Sequence, residues 1–262
     1  MTLTDRQHAE AARLLREAEH HAEPIEPLSA ALPGLGLAGA YAVQRDNIAR
    51  RLADGARVVG HKVGLTSVAM RLLLGVDEPD FGHLLDDMVH QDGVSVPAAR
   101  YCAPRVEPEM CFRLARPLRG PGVAAEDVLA ATEAVAPALE IVDSRIRDWR
   151  ITLVDTVADN ASSAGLVCGP WTPLEYAPDL AAVTADLLVD GEHIASGSGA
   201  EVLGHPATAV AWLANALAAH GTTLEAGQLV LPGAMTTAPF VGAGQKVEAR
   251  FGCLGSVSVT FV

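Results

Sequence analysis

Apolar and polar residues follow two kinds of pattern along this chain, and the change between them divides it into two parts. Ala-, Glu- and Arg-rich stretches predict helices over residues 5–22 and 39–53. From about Phe81 onward, short apolar runs are separated by Gly, Pro and Asp, which is typical of strands and turns. The pattern therefore predicts an α+β protein, with a small helical N-terminal portion (residues 1–57) followed by a β-rich domain (residues 58–262).

Local signals predict further elements in the second part: a strand over 58–65, a short helix over 66–75, helices over 126–135 and 206–219, a β-hairpin at Asp190-Gly191, and four strand-like pieces between 228 and 262. The first of the two longer helices should end before Pro137, because proline interrupts a helix interior. The hairpin prediction rests on an Asp-Gly pair between two apolar runs, a sequence that favours the tightest hairpin turns.

Composition narrows the class of function. The net charge of −13 argues against a polyanionic partner such as a nucleic acid, which would need a basic surface. No apolar run approaches the roughly 20 residues of a membrane span. The charged N-terminus lacks the apolar core of a secretory signal, and the four cysteines show no metal or disulfide spacing. We therefore expect a cytoplasmic protein with reduced thiols and no membrane partner.

Four positions combine unusual chemistry with unusual surroundings. Glu107 and Glu109 share one face of an alternating stretch, so their carboxylates would repel each other unless a cation lies between them. Glu140 is a single carboxylate in an apolar run, and it must be paired, with Arg145 or Arg147 for example, or neutral, or metal-bound. Lys62 is one of only two lysines beside 17 arginines, and Gly60 and Gly64 on its strand face would leave room for a ligand.

Seven segments carry a resemblance to a known family: VVGHKVGLTS, GVDEPDFGHLLDDM, PRVEPEM, APALEIVDSRIRDW, VDTVADNASS, VLGHPATAVAWLAN and LPGAMTTAP. They follow one another in the family's order from about Ala40 to the C-terminus, whereas the first 35 residues match only loosely. The chain resembles the 2-hydroxypenta-2,4-dienoate (2-oxopent-4-enoate) hydratases, in the hydratase/decarboxylase branch of the fumarylacetoacetate hydrolase superfamily. The resemblance implies a mixed β-sandwich or roll as the catalytic domain.

The resemblance also implies a site: Glu107, Glu109 and Glu140 as ligands of one divalent metal ion, with Lys62, Asp80 and Ser162 around the substrate. Three carboxylate oxygens plus waters form a hard ligand set, which suits Mg²⁺ or Mn²⁺ better than zinc or copper. The implied reaction adds water to 2-hydroxypenta-2,4-dienoate, or a C5-alkyl derivative, and gives a 4-hydroxy-2-oxo acid. Such a reaction belongs to the meta-cleavage degradation of aromatic compounds or steroids.

Each substrate-side residue has an expected role. Lys62 would accept and donate protons, with its pKa lowered toward neutrality by burial and by the nearby cation. Asp80 would orient or activate the water, although a residue two before Gly82 is also a reasonable turn residue. Ser162 or Ser163 would donate a hydrogen bond; the surrounding stretch 155–163 is otherwise consistent with turn and cap chemistry.

Other functions stay open at this point. The nearest is a 4-oxalocrotonate (2-oxo-3-enedioate) decarboxylase, although the family's decarboxylases tend to carry an apolar residue in place of Asp80. A carbon–carbon bond hydrolase would need a His/Glu pair to activate water. A non-catalytic partner of another pathway enzyme would have no use for three carboxylates and Lys62. Relatives in the family also imply a homo-oligomer, with the next aldolase or dehydrogenase of the pathway as a possible partner.

Overall fold

The computed structural model describes residues 4–67, 71–72 and 75–262, and six α-helices lie in this part of the chain. They are α1 (Asp5–His21), α2 (Leu28–Ala31), α3 (Leu37–Ala53), α4 (Ala125–Ala131), α5 (Leu153–Ala158) and α6 (Pro206–Ala218). The predicted helices at the positions of α1, α3 and α6 are confirmed. Half of the short helix predicted over 66–75, residues 68–70 and 73–74, lies outside the described residues, and residues 71–72 are helical. Within the described ranges, no helix has the length and apolar character needed to cross a membrane.

The strands form two sheets. They are β1 (Val58–Gly64), β2 (Asp80–Leu85), β3 (Val89–Gln91), β4 (Val94–Val96), β5 (Arg105–Leu114), β6 (Thr132–Val142), β7 (Ser163–Cys168), β8 (Thr172–Pro173), β9 (Thr184–Val189), β10 (Glu192–Ser198), β11 (Leu229–Leu231), β12 (Lys246–Arg250) and β13 (Ser256–Phe261). The larger sheet has the order β2-β1-β11-β5-β6-β7-β3, with β8 also paired to β6. The smaller sheet has the order β10-β9-β12-β13-β4.

The main hydrophobic core lies between these two sheets and α6. Val135 and Leu139 of the larger sheet belong to one buried cluster with Val247 and Val257 of the smaller sheet and with Val210 of α6. The sheets therefore pack face to face, and together with the N-terminal helices they form the α+β fold expected from the sequence.

The opposite face of the larger sheet is covered by helices. A second buried cluster joins Leu15 of α1 and Val43 of α3 to Ile146 and to Val157 of α5. A third joins Ile48 of α3 to residues of β2, β5, β6, β7 and β11. The N-terminal helices thus bury the sheet face that carries Glu107 and Glu109, whereas the division of the chain at residue 57 stays a prediction.

Two local predictions differ from the structure. The helix expected over 126–135 ends at Ala131, and the chain continues as β6 straight through Pro137. Proline fits into the strand at this position because the backbone needs only an acceptor there. The Pro137 carbonyl accepts a hydrogen bond from the Gly169 N–H at 2.8 Å. The tail forms three strands rather than four, since the stretch before β12 contributes only an isolated bridge between Phe240 and Arg105.

Other local predictions are confirmed. Asp190 and Gly191 have φ of 52° and 83°, as the two-residue turn between β9 and β10 requires. All four cysteines are free thiols.

Candidate active site

Strand register brings the three glutamates together. Glu107 of β5 lies directly opposite Glu140 of the antiparallel neighbour β6, and Glu109 follows Glu107 on the same face. One carboxylate oxygen from each residue lies within 4.8 Å of those from the other two. Residues 110 and 112, on the alternate face, are buried in the main core. The same alternation that places Met110 and Phe112 in the core therefore places the glutamate carboxylates together on the opposite face of the sheet.

These carboxylates are buried with too few partners. Glu109 and Glu140 are both fully buried, and Glu107 is partly exposed. The Gly233 N–H donates to Oε2 of Glu109 at 2.8 Å. Within the described part of the chain, no hydrogen bond is formed to Oε1 of Glu109 or to either oxygen of Glu140, although the Lys62 ammonium lies 3.3 Å from Oε2 of Glu140. Such groups are costly to bury as anions unless a cation compensates them.

Burial and mutual repulsion raise the pKa of each glutamate. Burial raises the pKa of Glu107 to about 7, although Lys62 opposes the shift. Burial, followed by Glu140 and Glu107, raises the pKa of Glu109 well above its usual value. The pKa of Glu140 is also raised by burial. The protein's own groups thus favour protonated carboxyls here, and a divalent cation would reverse that preference.

The donor set fits a hard divalent cation. Three carboxylate oxygens that lie this close together can all face one ion, and oxygen ligands of this type suit Mg²⁺ and Mn²⁺. Glu107 is the partly exposed member, so the entrance of the site lies on its side.

Lys62 is the nearest cation to this cluster. Its Nζ donates to the Ala161 carbonyl at 3.0 Å and lies 3.3 Å from Oε2 of Glu140. The alternative of an ion pair between Glu140 and Arg145 or Arg147 is not realised, because Arg145 pairs with Asp159 and Arg147 with Glu26.

The protein's own groups alone shift the pKa of Lys62 in the direction opposite to the lowering expected beside a bound cation. Burial lowers the pKa of Lys62, but Glu140, Asp80, Glu107 and Glu109 together raise it above its usual value. Sequence reasoning considered the cation and the burial but not the number of carboxylates around this ammonium group. A divalent cation among those carboxylates would oppose their effect.

Asp80 lies at the start of β2, directly across from Gly64 of β1. A Cβ atom at residue 64 would lie 2.1 Å from Oδ1 of Asp80 and 3.4 Å from Nζ of Lys62, so glycine lets both groups approach the same space. Gly60 does not serve in this way, since its Cβ position is only 2.0 Å from the Leu229 carbonyl oxygen. The room expected beside Gly60 is therefore filled by backbone.

Asp80 is buried, and neither of its oxygens has a well-formed hydrogen bond from another described residue. Burial raises the pKa of Asp80, while Lys62 and then the Thr156 hydroxyl lower it. Thr156 is in turn 3.3 Å from the Ser162 hydroxyl, oxygen to oxygen. Asp80, Thr156 and Ser162 thus lie in one polar row beside Lys62. Sequence reasoning missed Thr156, which carried no signal beyond its place in a polar stretch.

The rest of this polar stretch holds the fold together. Asp155 accepts hydrogen bonds from Ser29 and Thr152, which fix α2 and the start of α5. Asp159 forms a buried ion pair with Arg145, with Nε 2.5 Å from Oδ1. The Ser163 hydroxyl lies on the Glu140 side, where it lowers the pKa of that carboxyl. Within residues 155–163, some side chains therefore stabilise the fold and others lie at the candidate site.

Comparison with known proteins gives consistent results. Residues 85–262 match the model of the fumarylacetoacetate (FAA) hydrolase C-terminal family. A 2-hydroxyhexa-2,4-dienoate hydratase of Comamonas testosteroni is 42% identical over 262 residues, which cover 99% of each chain. A 2-keto-4-pentenoate hydratase of Paraburkholderia xenovorans (strain LB400) is 44% identical over 259 residues, covering 99% of this chain and 96% of the relative.

A solved structure is similar over the whole chain. The 4-oxalocrotonate decarboxylase of Pseudomonas putida G7, complexed with magnesium and adipate, aligns with a TM-score of 0.96 at 37% identity. The alignment covers 100% of this chain and 99% of that one.

Proposed function

This chain belongs to the fumarylacetoacetate hydrolase family, and from that premise we propose that it is a divalent-metal-dependent hydratase acting on 2-hydroxypenta-2,4-dienoate or a C5-alkyl derivative. The product is the corresponding 4-hydroxy-2-oxo acid. The observation that carries the proposal is the convergence of three buried carboxylates beside a buried lysine, in a chain 42–44% identical to dienoate hydratases.

Glu107, Glu109 and Glu140 would hold the cation, Mg²⁺ or Mn²⁺. When bound there, the cation supplies Lewis acidity that stabilises negative charge on the C2 oxygen of a 2-oxo acid. The missing hydrogen bonds at Glu109 and Glu140 support this assignment, because the single ammonium group of Lys62 cannot compensate three carboxylates in this site. The magnesium reported for the Pseudomonas putida decarboxylase is consistent with it.

Lys62 would move the protons. Hydration of the dienoate transfers a proton from the 2-hydroxyl to C5, adds water oxygen at C4 and places a proton on C3, so one group must both accept and donate. The Lys62 ammonium has only the Ala161 carbonyl and the Glu140 carboxylate as close partners among the described residues. It is therefore held in place while one of its N–H bonds can point toward the reacting carbons.

Asp80 would orient the water that adds at C4. Its oxygens, which form no well-made hydrogen bond, can accept one from water, and the Thr156 hydroxyl beside it is 3.3 Å from that of Ser162. The same carboxylate favours the hydratase over the decarboxylase. The substrate of the decarboxylase carries a second carboxylate at the end that loses CO₂, and a buried anion near the reacting carbons would repel it.

The pathway, cellular compartment and oligomeric state of the enzyme are part of the same proposal. We place the enzyme in the degradation of aromatic compounds or steroids, in the cytoplasm and as a homo-oligomer, with association with the next aldolase or dehydrogenase as a further option. Size-exclusion chromatography with light scattering measures the oligomeric state directly.

The test follows the ultraviolet absorbance of a fresh 2-hydroxypenta-2,4-dienoate solution. Enzyme with Mg²⁺ or Mn²⁺ should bleach the absorbance, chelator should abolish the effect, and mass spectrometry should find a product that retains every carbon and gains one water. Release of CO₂ from 2-oxo-3-enedioate, without hydration of the dienoate, would favour the decarboxylase instead.

A further inference from the structure

Arg105 is a cation without a counter-ion at the edge of the site. It opens β5 two residues before Glu107, so its Cα lies roughly 7 Å from that of Glu107 on the same strand face. The side chain is partly buried, yet Nε has no hydrogen-bond partner and the guanidinium forms no ion pair within the described chain. Arginine prefers to meet an anion when it is desolvated, so an unpaired one beside a ligand site needs an explanation.

Two aromatic rings fix this guanidinium in place. Its central carbon lies 3.9 Å from the ring centroid of Phe240 and 4.7 Å from that of Trp149. Phe240 is the antiparallel bridge partner of Arg105, and the Trp149 indole N–H is anchored to the Ala103 carbonyl at 2.9 Å. Stacking covers the faces of a guanidinium but leaves its N–H edge available, and that edge matches a carboxylate in two parallel hydrogen bonds.

Strand register places the backbones of Arg105 and Lys62 on opposite sides of the carboxylate row. Lys62 pairs with Leu231 of β11, and β11 runs antiparallel to β5 with Val230 opposite Phe112. The Lys62 backbone is therefore level with the position just before Phe112, and its side chain reaches Glu140, the residue opposite Glu107, whereas Arg105 lies on the far side of Glu107. A ligand that spans the metal-binding carboxylates would have one end toward Lys62 and the other toward Arg105.

We propose that Arg105 binds the C1 carboxylate of the substrate and so fixes the direction in which the 2-oxo acid lies across the site. The proposal rests on the proposed function, in which the reacting carbons C3 to C5 face Lys62. A 2-oxo acid that uses one carboxylate oxygen and its C2 oxygen toward a cation leaves the second carboxylate oxygen without a partner. Arg105 provides that partner, and it makes Arg105 a substrate-binding residue common to every C5 substituent.

The charges of the site agree with this role. Three glutamates and one lysine sum to two negative charges, which a divalent cation cancels. A carboxylate that enters from the Glu107 side would then meet no net attraction, and it would experience repulsion from Asp80. Arg105 supplies the missing positive charge on the entrance side.

The chain offers a matched control on the same strand. Arg113 lies eight residues further along β5 and stacks on Trp171, with the guanidinium carbon 4.5 Å from the ring centroid. Unlike Arg105, it is paired with Glu133, at 3.0 Å. Arg113→Met therefore removes a stacked arginine from β5 without touching the proposed site.

The decisive measurement is binding of 2-oxobutanoate to the Mn²⁺-loaded protein by calorimetry, after Mn²⁺ alone has been titrated into each variant. Arg105→Met should raise the Kd for 2-oxobutanoate about 10- to 100-fold, as expected for the loss of a charge-assisted hydrogen-bonded pair. Its Kd for Mn²⁺ should be unchanged or lower. Arg105→Lys should lose part of the affinity, because the charge stays while the planar fork is lost. Arg113→Met should match the wild type in both titrations.

Three results would overturn the proposal. The first is a 2-oxobutanoate Kd within twofold of the wild type in Arg105→Met. The second is an equal weakening of Mn²⁺ binding, which would indicate a structural role. The third is a loss confined to a longer diacid such as 2-oxoadipate, which would place a remote carboxylate at Arg105.

Turnover gives an independent comparison. In Arg105→Met the KM for 2-hydroxypenta-2,4-dienoate should rise about 10- to 100-fold while kcat stays within about fivefold of the wild type. If the wild type does not hydrate the dienoate, the proposed function fails. The 2-oxobutanoate titration still decides the role of Arg105 in that case.

Discussion

Replacement of Lys62 by methionine separates proton transfer from metal binding. Methionine fills a similar volume without charge, in a place where the lysine side chain is only 4% exposed. Loss of a general acid–base group lowers kcat by about 10²- to 10⁴-fold, or roughly 3–5 kcal/mol of activation free energy. We expect this loss at saturating substrate and saturating Mn²⁺.

The same change should strengthen metal binding. The Lys62 ammonium lies 3.3 Å from Glu140, hence about 5 Å from an ion bound by that carboxylate. At an effective dielectric constant near 20, repulsion between a divalent cation and the ammonium group over that distance is roughly 7 kcal/mol. The Kd for Mn²⁺ should therefore fall at least several-fold. Without metal, the variant should be less stable by about 3–5 kcal/mol, because Glu140 loses its compensating cation.

The assay combines dienoate absorbance for kcat, calorimetry for the Mn²⁺ Kd and circular dichroism for folding. Lys246→Met is the matched control, since Lys246 is the only other lysine of the chain and is exposed on β12. It should leave kcat and the Kd unchanged. A folded, Mn²⁺-loaded Lys62→Met protein with kcat within tenfold of the wild type would refute the assignment of proton transfer to Lys62.

Three further outcomes are expected. Asp80→Asn should lower kcat about 10²-fold or more and leave the Mn²⁺ Kd within a few-fold of the wild type; an unchanged kcat would remove Asp80 from the mechanism. Because the pKa of Glu107 is raised to about 7, its carboxyl is protonated below that pH and must release the proton to bind metal. Mn²⁺ affinity should therefore rise at least about tenfold per pH unit between pH 5 and 7, and a flat profile in calorimetry would contradict this. Asp159→Asn should reduce the free energy of unfolding by about 3–5 kcal/mol, since it leaves Arg145 buried without its partner, while the Mn²⁺ Kd of the folded protein stays unchanged.

The residues of the site could be predicted from the sequence more readily than their arrangement in space. Alternation along β5 placed Glu107 and Glu109 on one face, and an isolated carboxylate in an apolar run marked Glu140. Which residue of β6 faces Glu107 depends on a long-range register, and no local signal specifies it. The resemblance to a known family supplied the grouping that periodicity could not.

The failures have a common physical cause. Pro137 was interpreted as the end of a helix, but it lies within β6. Strand pairing tolerates proline there because only its carbonyl has to form a hydrogen bond. The pKa of Lys62 also depends on four carboxylates from three strands, and a sequence does not reveal such spatial neighbours. Arg105 and Thr156 were not recognised for the same reason, since their partners are remote in the chain.

The central claim is that Glu107, Glu109 and Glu140 bind one divalent cation, and calorimetric titration of Mn²⁺ into Glu140→Gln tests it most directly. This substitution keeps the shape of a fully buried side chain and removes its charge. The control is Glu133→Gln on the same strand, where the carboxylate is exposed and pairs with Arg113. We predict that Glu140→Gln weakens Mn²⁺ binding by more than about 100-fold while Glu133→Gln matches the wild type. Wild-type Mn²⁺ affinity in the Glu140→Gln protein would contradict the account.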